Sequence, residues 1–248
     1  MSATEHAGDA EIPKELIEAV VHLVGTGPVQ LGAYTLAEID AVNGVIDFIE
    51  REPAPELVAE AVRSLAARSL ITTAAGADEV QVRGDLGIAL AFQERSRTIL
   101  DARLTGSEPD RPWRFLLMPQ PENVTLEVLI DALGIHFYAL RTTADAMERA
   151  WERLPRGDRG PADADADAVL TAGSRTALIS VSHWEDDGTR DTHDLVLAQD
   201  GGTCHAFMRD PDEPARLVAQ GLDDDEWRGL VARLASPARP LPRGTAGL

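Results

Sequence analysis

The sequence predicts an α+β fold: an antiparallel sheet built from two repeated meander-plus-helix units, with helices packed on it and a helical N-terminal region ahead of it. Three observations carry this expectation. Between Trp113 and Arg141 apolar residues alternate with period two, broken by turn residues, and from Ala144 the period becomes helical. A shift of the sequence by 68 positions lays Leu129–Arg141 over Leu197–Arg209 without a gap, as a duplicated unit would. Ahead of both copies, apolar residues recur at helical spacing behind cap-forming residues.

Taken in order, residues 1–11 read as a polar, solvated tail, and residues 12–104 as a helical, winged-helix-like region. Pro13 suits the first turn of a helix whose buried face is Leu16, Ile17, Val20, Val21 and Val24, ended by Gly25-Thr26-Gly27-Pro28. Thr35 caps a second helix running through Ile39, Val42, Val45, Ile46 and Ile49. A third starts at Pro55 and turns Leu57, Val58, Ala61, Val62 and Leu65 inward. A short extended piece from Leu70 to Arg83, hinged at Gly76, leads to a helix from Asp85 through Leu90 to Ile99.

The first meander-plus-helix unit occupies residues 105–155. Pro121-Glu122-Asn123 and Asp131-Ala132-Leu133-Gly134 are its turns. Val124, Leu126, Val128 and Ile130 alternate before the second turn; Ile135 and Phe137 oppose Tyr138 and Leu140 after it. A rival reading makes Thr125–Leu133 a helix, because Leu126, Leu129 and Leu133 also suit that spacing. With Thr142 or Thr143 as N-cap, the closing helix carries Ala144, Met147, Ala150, Trp151 and Leu154 on one face. Residues 156–174 form an acidic linker. Residues 175–235 form the second unit, with an Asp187-Gly188 turn, a second turn at Asp200-Gly201-Gly202, and a closing helix that aligns Trp227, Leu230, Val231 and Leu234. A Pro-rich tail, 236–248, follows.

Charge restricts the partners. The chain carries a formal charge of −19, with 42 acidic residues against 23 basic ones, and Lys14 is its one lysine. A nucleic-acid binder replaces condensed counterions with Lys and Arg. Three helices and a hairpin are also the outline of a winged helix, which raises a transcriptional regulator with a ligand-sensing C-terminal half as an alternative. Yet Pro13–Leu70 holds four basic residues against nine acidic ones, and the would-be recognition helix carries Glu56 and Glu60. The expectation is no nucleic-acid partner. No apolar run approaches the ~18 residues of a membrane span, and the acidic N-terminus lacks a basic leader start. A cytoplasmic protein with no membrane partner is expected.

Catalytic signals are sparse. No phosphate-binding glycine loop, nucleophile elbow or HExxH occurs. Asp163, Asp165 and Asp167 alternate with alanine, but Ala168 and Ser174 stand where a calcium loop needs Gly and Glu, so a flexible linker is the expectation. His183 and His193 flank one hairpin and His205 lies on the next strand, which makes a zinc site or a histidine-based metal enzyme conceivable; His136 is the remaining strand histidine. Strand histidines are more often half-exposed or hydrogen-bonded core residues. Cys204 points to the opposite strand face from His205 and reads as a small buried thiol. No residue is singled out as catalytic, cofactor-binding or metal-ligating, and no cofactor is expected.

With its helices, the turn Leu65–Ile71 (LAARSLI), the segment Leu100–Leu104 (LDARL) and the duplicated meander-plus-helix units, the chain resembles the EspG family over roughly Pro55 to Ala235. Those proteins are cytosolic chaperones of actinobacterial type VII (ESX) secretion systems. Ser69 stands where relatives often carry glycine. The resemblance implies a quasi-two-fold α/β fold without catalytic residues and a helical secretion substrate as protein partner. The functional expectation is a non-catalytic chaperone or adaptor.

Overall fold

Two left-handed residues turn the middle of the chain into a meander. Asn123 (φ 60°) and Gly134 (φ 75°) close its two turns, a conformation that Asn and Gly adopt at least cost. In the second turn the Asp131 carboxylate accepts from the N–H groups of Leu133 and Ile135, both at 2.9 Å. Thr142 then starts the following helix by accepting from the Asp145 N–H at 3.2 Å.

The computed structural model describes residues 13–42, 44, 53–73, 80–106, 112–185 and 188–236. In chain order they form α1 (Lys14–Thr26), β1 (Val29–Thr35), α2 (Leu36–Asp40), α3 (Pro55–Ala67), β2 (Ile71–Thr73), β3 (Val80–Val82), α4 (Gly84–Glu94), β4 (Thr98–Thr105), β5 (Arg114–Pro119), β6 (Val124–Ile130) and β7 (Ile135–Thr142). Then follow α5 (Thr143–Arg153), β8 (Asp158–Arg159), α6 (Ala166–Ala172), β9 (Arg175–Trp184), β10 (Arg190–Asp200), β11 (Thr203–Arg209), β12 (Leu217–Ala219) and α7 (Asp224–Leu234). The fold is α+β. Its ten-stranded sheet runs β1-β7-β6-β5-β4-β9-β10-β11-β12, with β8 paired in parallel to β11; every other pair is antiparallel.

The sheet is buried on both faces. On one, Leu116, Met118, Leu126, Val128, Tyr138 and Leu140 pack with Val20 and Val24 of α1 and with Leu86, Leu90 and Phe92 of α4. On the other, Leu100, Phe115, Ile179, Leu195, Leu197 and Cys204 pack with Trp151 of α5 and Trp227 of α7. Neither core closes without helices from outside its own hairpins, consistent with the marginal stability of isolated hairpins.

The expected meander β5-β6-β7 and its helix α5 are present, and Leu126–Ile130 is strand rather than helix. Both hairpins of the proposed duplication, β6-β7 and β10-β11, belong to the one antiparallel sheet. They do not occupy equivalent places. The halves meet at β4 and β9, so β6 and β7 are third and fourth from the centre on one side, and β10 and β11 second and third on the other. The element order that recurs on both sides is helix, four strands, helix: α4-β4-β5-β6-β7-α5 and α6-β9-β10-β11-β12-α7. Register explains why the gapless match misleads. Ile130 pairs with His136 across a five-residue turn, whereas Asp200 pairs with Thr203 across Gly201-Gly202. The second strand is therefore displaced by one residue between copies, which exchanges its faces. Arg141 lies beside Glu127 under α5, while its match Arg209 reaches Asp194 on the opposite face.

Four expectations need correction. Val29–Thr35, placed in a helical region, is an edge strand against β7. A bulge between Gln30 and Gly32 puts Leu31 and Tyr34, three residues apart, both in the core, which erases the period-two signal. Ile99, placed at the end of a helix, lies in β4, because α4 stops at Glu94. As a central strand covered on both faces, β4 has no alternation to read. The helix capped by Thr35 ends at Asp40 and continues as a turn at Ala41 and Val42; Val45, Ile46 and Ile49 lie outside the described residues, as do Gly76, Asp187 and most of both tails. The acidic linker 156–174 carries β8 and α6. Asp165 is the N-cap of α6, accepting from Ala168 N–H at 2.9 Å. Gly157 and Gly160 let this segment lie on β11: a Cβ would meet Gly202 O at 2.3 Å or the His205 ring at 2.5 Å.

Candidate protein-binding face

The hairpin tip between β6 and β7 stands opposite α2 and α3, and the space between them is an apolar groove of about 590 Å³. Leu36, Ala37, Pro53, Leu57, Ala61 and Ile135 supply its apolar lining. Leu133 projects from the tip at 86% exposure, and Leu57 faces it from α3 at 59%. The apolar surface continues onto the sheet. Ala33, Phe137, Leu129 and Phe115 pair across β1, β7, β6 and β5 in one row on the α5 side, and Trp113 precedes Phe115 by two residues on that side. Phe137 (42%) and Trp113 (40%) remain exposed. Thus Leu57, Trp113, Leu133 and Phe137, four of the eight large exposed hydrophobics among the described residues, gather at one end of the sheet. Exposed apolar residues gathered in this way make the face a candidate interaction surface.

One buried carboxylate fixes the wall of the groove. Thr35 and Glu38 form a capping box at the start of α2. The other Glu38 oxygen accepts from the Ser64 hydroxyl at 2.8 Å and from Arg68 at 3.0 Å, both on or next to α3. Arg68 also donates to the Ala33 carbonyl at 3.4 Å and lies over the Tyr34 ring at 5.1 Å. Ser69, directly after, is left-handed (φ 59°) and ends α3, donating to Ala66 O at 2.9 Å. That geometry favours glycine at this position. Burial opposes ionisation of Glu38, but the Thr35 N–H, the Ser64 hydroxyl and the Arg68 charge outweigh it and hold its carboxyl below the ordinary value. A depressed folded value means the contribution to stability is present above the unfolded value of about 4.3 and disappears as pH falls through the folded one. Glu38→Gln should therefore cost about 1–2 kcal/mol near neutrality, and the gap to wild type should narrow below about pH 4. Urea denaturation across pH measures this; a gap that stays constant down to acid would refute the latch.

Two carbonyls of the edge strand β1 are already engaged, which hinders strand addition. Its Leu31 carbonyl accepts from the Tyr34 hydroxyl at 2.6 Å, its Ala33 carbonyl accepts from Arg68, and the bulge at Gly32 bends it.

The histidines do not converge. His193 pairs with Val181, placing it and His183 on the α5/α7 face, whereas His205 pairs with Ala198 on the other face. His183 Nδ1 is 3.1 Å from the Thr98 hydroxyl, His193 Nε2 is 3.0 Å from Asp191, and His205 is buried 6.2 Å from Phe207 in a stacked pair. His136 donates through Nδ1 to the Gly134 carbonyl at 3.1 Å, and burial holds its pKa below the ordinary value. Among the described residues no group of three His, Cys, Asp or Glu side chains is placed to hold a metal ion. Cys204 lies in the core, where burial pushes its thiol up to about 12, leaving it protonated at neutral pH. No described helix is long and apolar enough to cross a membrane.

Sequence reasoning did not select this face, and it placed Leu57 on the buried side of its helix, whereas Leu57 is exposed. Leu133 had a signal, an apolar side chain in a turn position where polar residues dominate, yet it also suited a helical stripe. The alignment of Leu57 with Leu133 depends on contacts distant in sequence. The chain matches no known family model and no curated protein.

Proposed function

We propose that the chain is a non-catalytic binding protein, a cytosolic chaperone or adaptor that covers an apolar helical segment of its partner. The observation that carries this reading is the pair of exposed leucines, Leu57 and Leu133, lining one groove, with Phe137 and Trp113 exposed on the adjoining sheet. A helix-in-groove contact suits the site, because a groove of about 590 Å³ takes a few side chains from one helical stripe. The blocked carbonyls of β1 argue against a partner that joins as a further strand. The high negative charge supports solubility while the patch is uncovered. Together with the resemblance to EspG chaperones, these features favour a helical type VII secretion substrate as the partner.

Co-expression with a helical secretion substrate that is insoluble alone tests the reading. The expected result is a soluble complex of fixed stoichiometry, lost with Leu57→Ser/Leu133→Ser, while the variant keeps the wild-type melting temperature because both side chains are exposed. A substrate equally soluble with wild type and variant would refute the assignment of the groove.

A further inference from the structure

We infer that the helix this face accepts is cationic as well as amphipathic, with Lys or Arg flanking its apolar stripe. The inference rests on the groove being a docking site and adds the chemistry of its occupant. Among the described residues, two charged side chains line the groove, and both are glutamates, Glu38 and Glu60. Glu56 is exposed on α3 one helical turn before Glu60 and next to Leu57, at the rim of the groove rather than in its lining. At the opposite wall Asp131 sits at the base of the hairpin tip, with one carboxylate oxygen engaged by the Leu133 and Ile135 N–H groups.

Among the described residues, two arginines near the groove are engaged with its glutamates. Arg63 pairs with Glu60 at 2.7 Å and Arg68 with Glu38 at 3.0 Å. An apolar stripe docked between Leu57 and Leu133 would bring its flanking residues over Glu56 and Glu60 on one side and Asp131 on the other. Acidic flanks would meet like charge at Glu56 and Asp131, with Glu60 partly compensated by Arg63; basic flanks would be attracted there and steered by the chain's net charge of −19. An exposed ionic contribution of this kind weakens with salt, while the apolar part does not.

Two fluorescein-labelled synthetic helices with the same leucine stripe, one with lysine and one with glutamate on the polar face, separate the possibilities when titrated against the full chain by anisotropy. The lysine helix should bind about tenfold more tightly at low salt, and the difference should shrink as salt rises. Glu56→Gln/Glu60→Gln should remove about threefold of that preference. The same charge change on α1, Glu15→Gln/Glu18→Gln, should leave it unchanged. Leu57→Ser/Leu133→Ser should abolish binding of the lysine helix. Equal binding of both helices, abolished by the leucine changes, would overturn the charge preference and leave the groove standing. An α1 variant as impaired as the α3 variant would show general attraction to an acidic protein and overturn it too. A self-associated chain dissolved by the leucine changes would assign the groove to a second copy. No binding of either helix would overturn the groove assignment itself.

Discussion

Trp227→Ala should destabilise the protein by roughly 3–5 kcal/mol, lowering the melting temperature by about 10 °C for a chain of this size. The indole is fully buried where α7 crosses the sheet, in an edge-to-face pair with Trp151 of α5 at 5.6 Å between ring centroids. Its N–H donates to Asp224 at 3.2 Å and Arg228 lies over the ring at 5.5 Å. Alanine would leave a cavity between two helices and the strands of both halves of the sheet, and would remove an aromatic pair contributing a further ~1 kcal/mol. Trp227→Phe should recover more than half of the loss. Emission from Trp151 should shift to the red in the alanine variant as water reaches it. A change below about 1 kcal/mol would show that α7 is not part of the cooperative core.

Arg141→Met should cost roughly as much, about 3–5 kcal/mol. Glu127 is only 1% exposed, and one of its oxygens accepts from Arg141 Nε at 2.6 Å. Its other oxygen has no hydrogen bond and faces Arg153 at 3.6 Å. Arg141 also holds Asp145 in the first turn of α5 at 2.8 Å. Methionine keeps the apolar stem but leaves a carboxylate under α5 without its main counterion. Arg153, 3.6 Å from the other Glu127 oxygen and not hydrogen-bonded to it, is a weak replacement. Replacing both members, Arg141→Met/Glu127→Leu, should cost about 2 kcal/mol less than the sum of the two single losses. Additive losses in this cycle, measured by urea denaturation, would mean the two residues do not act as a pair.

The legible parts of this chain were those in which one face of an element dominates locally. The change from period two to period 3.6 near Thr142 located β5 to β7 and α5, because strands alternate and helices do not. The N-cap at Thr35 and the proline at Pro55 located the starts of α2 and α3. Asp165 was an unread cap: its alternation with alanine suggested a linker, whereas its side chain starts α6. Strand β4 gave no alternation, because Leu100 and Ala102 face one core, Ile99 faces the other, and Asp101 is buried in an ion pair with Arg114 at 2.8 Å. The groove was the least legible feature. Leu57 and Leu133 are 76 positions apart in the chain, and nothing local records that they face each other.

By itself, then, the amino-acid order determined the α+β class, the antiparallel meanders, the caps and the acidic surface, all of which follow from interactions within a turn or two of the chain. Tertiary structure alone decided the rest. Pairing with β7 placed Val29–Thr35 in the sheet, and the bulge at Gly32 hid its alternation. The pairing of β4 with β9 set the two halves against each other, one strand out of step with the sequence match. The physical reason is that register has a period of two, so a one-residue displacement of the second strand reverses every side chain along it. That reversal sends Arg141 beneath α5 and its sequence match Arg209 to the opposite face, a difference that only the positions of the neighbouring strands can record.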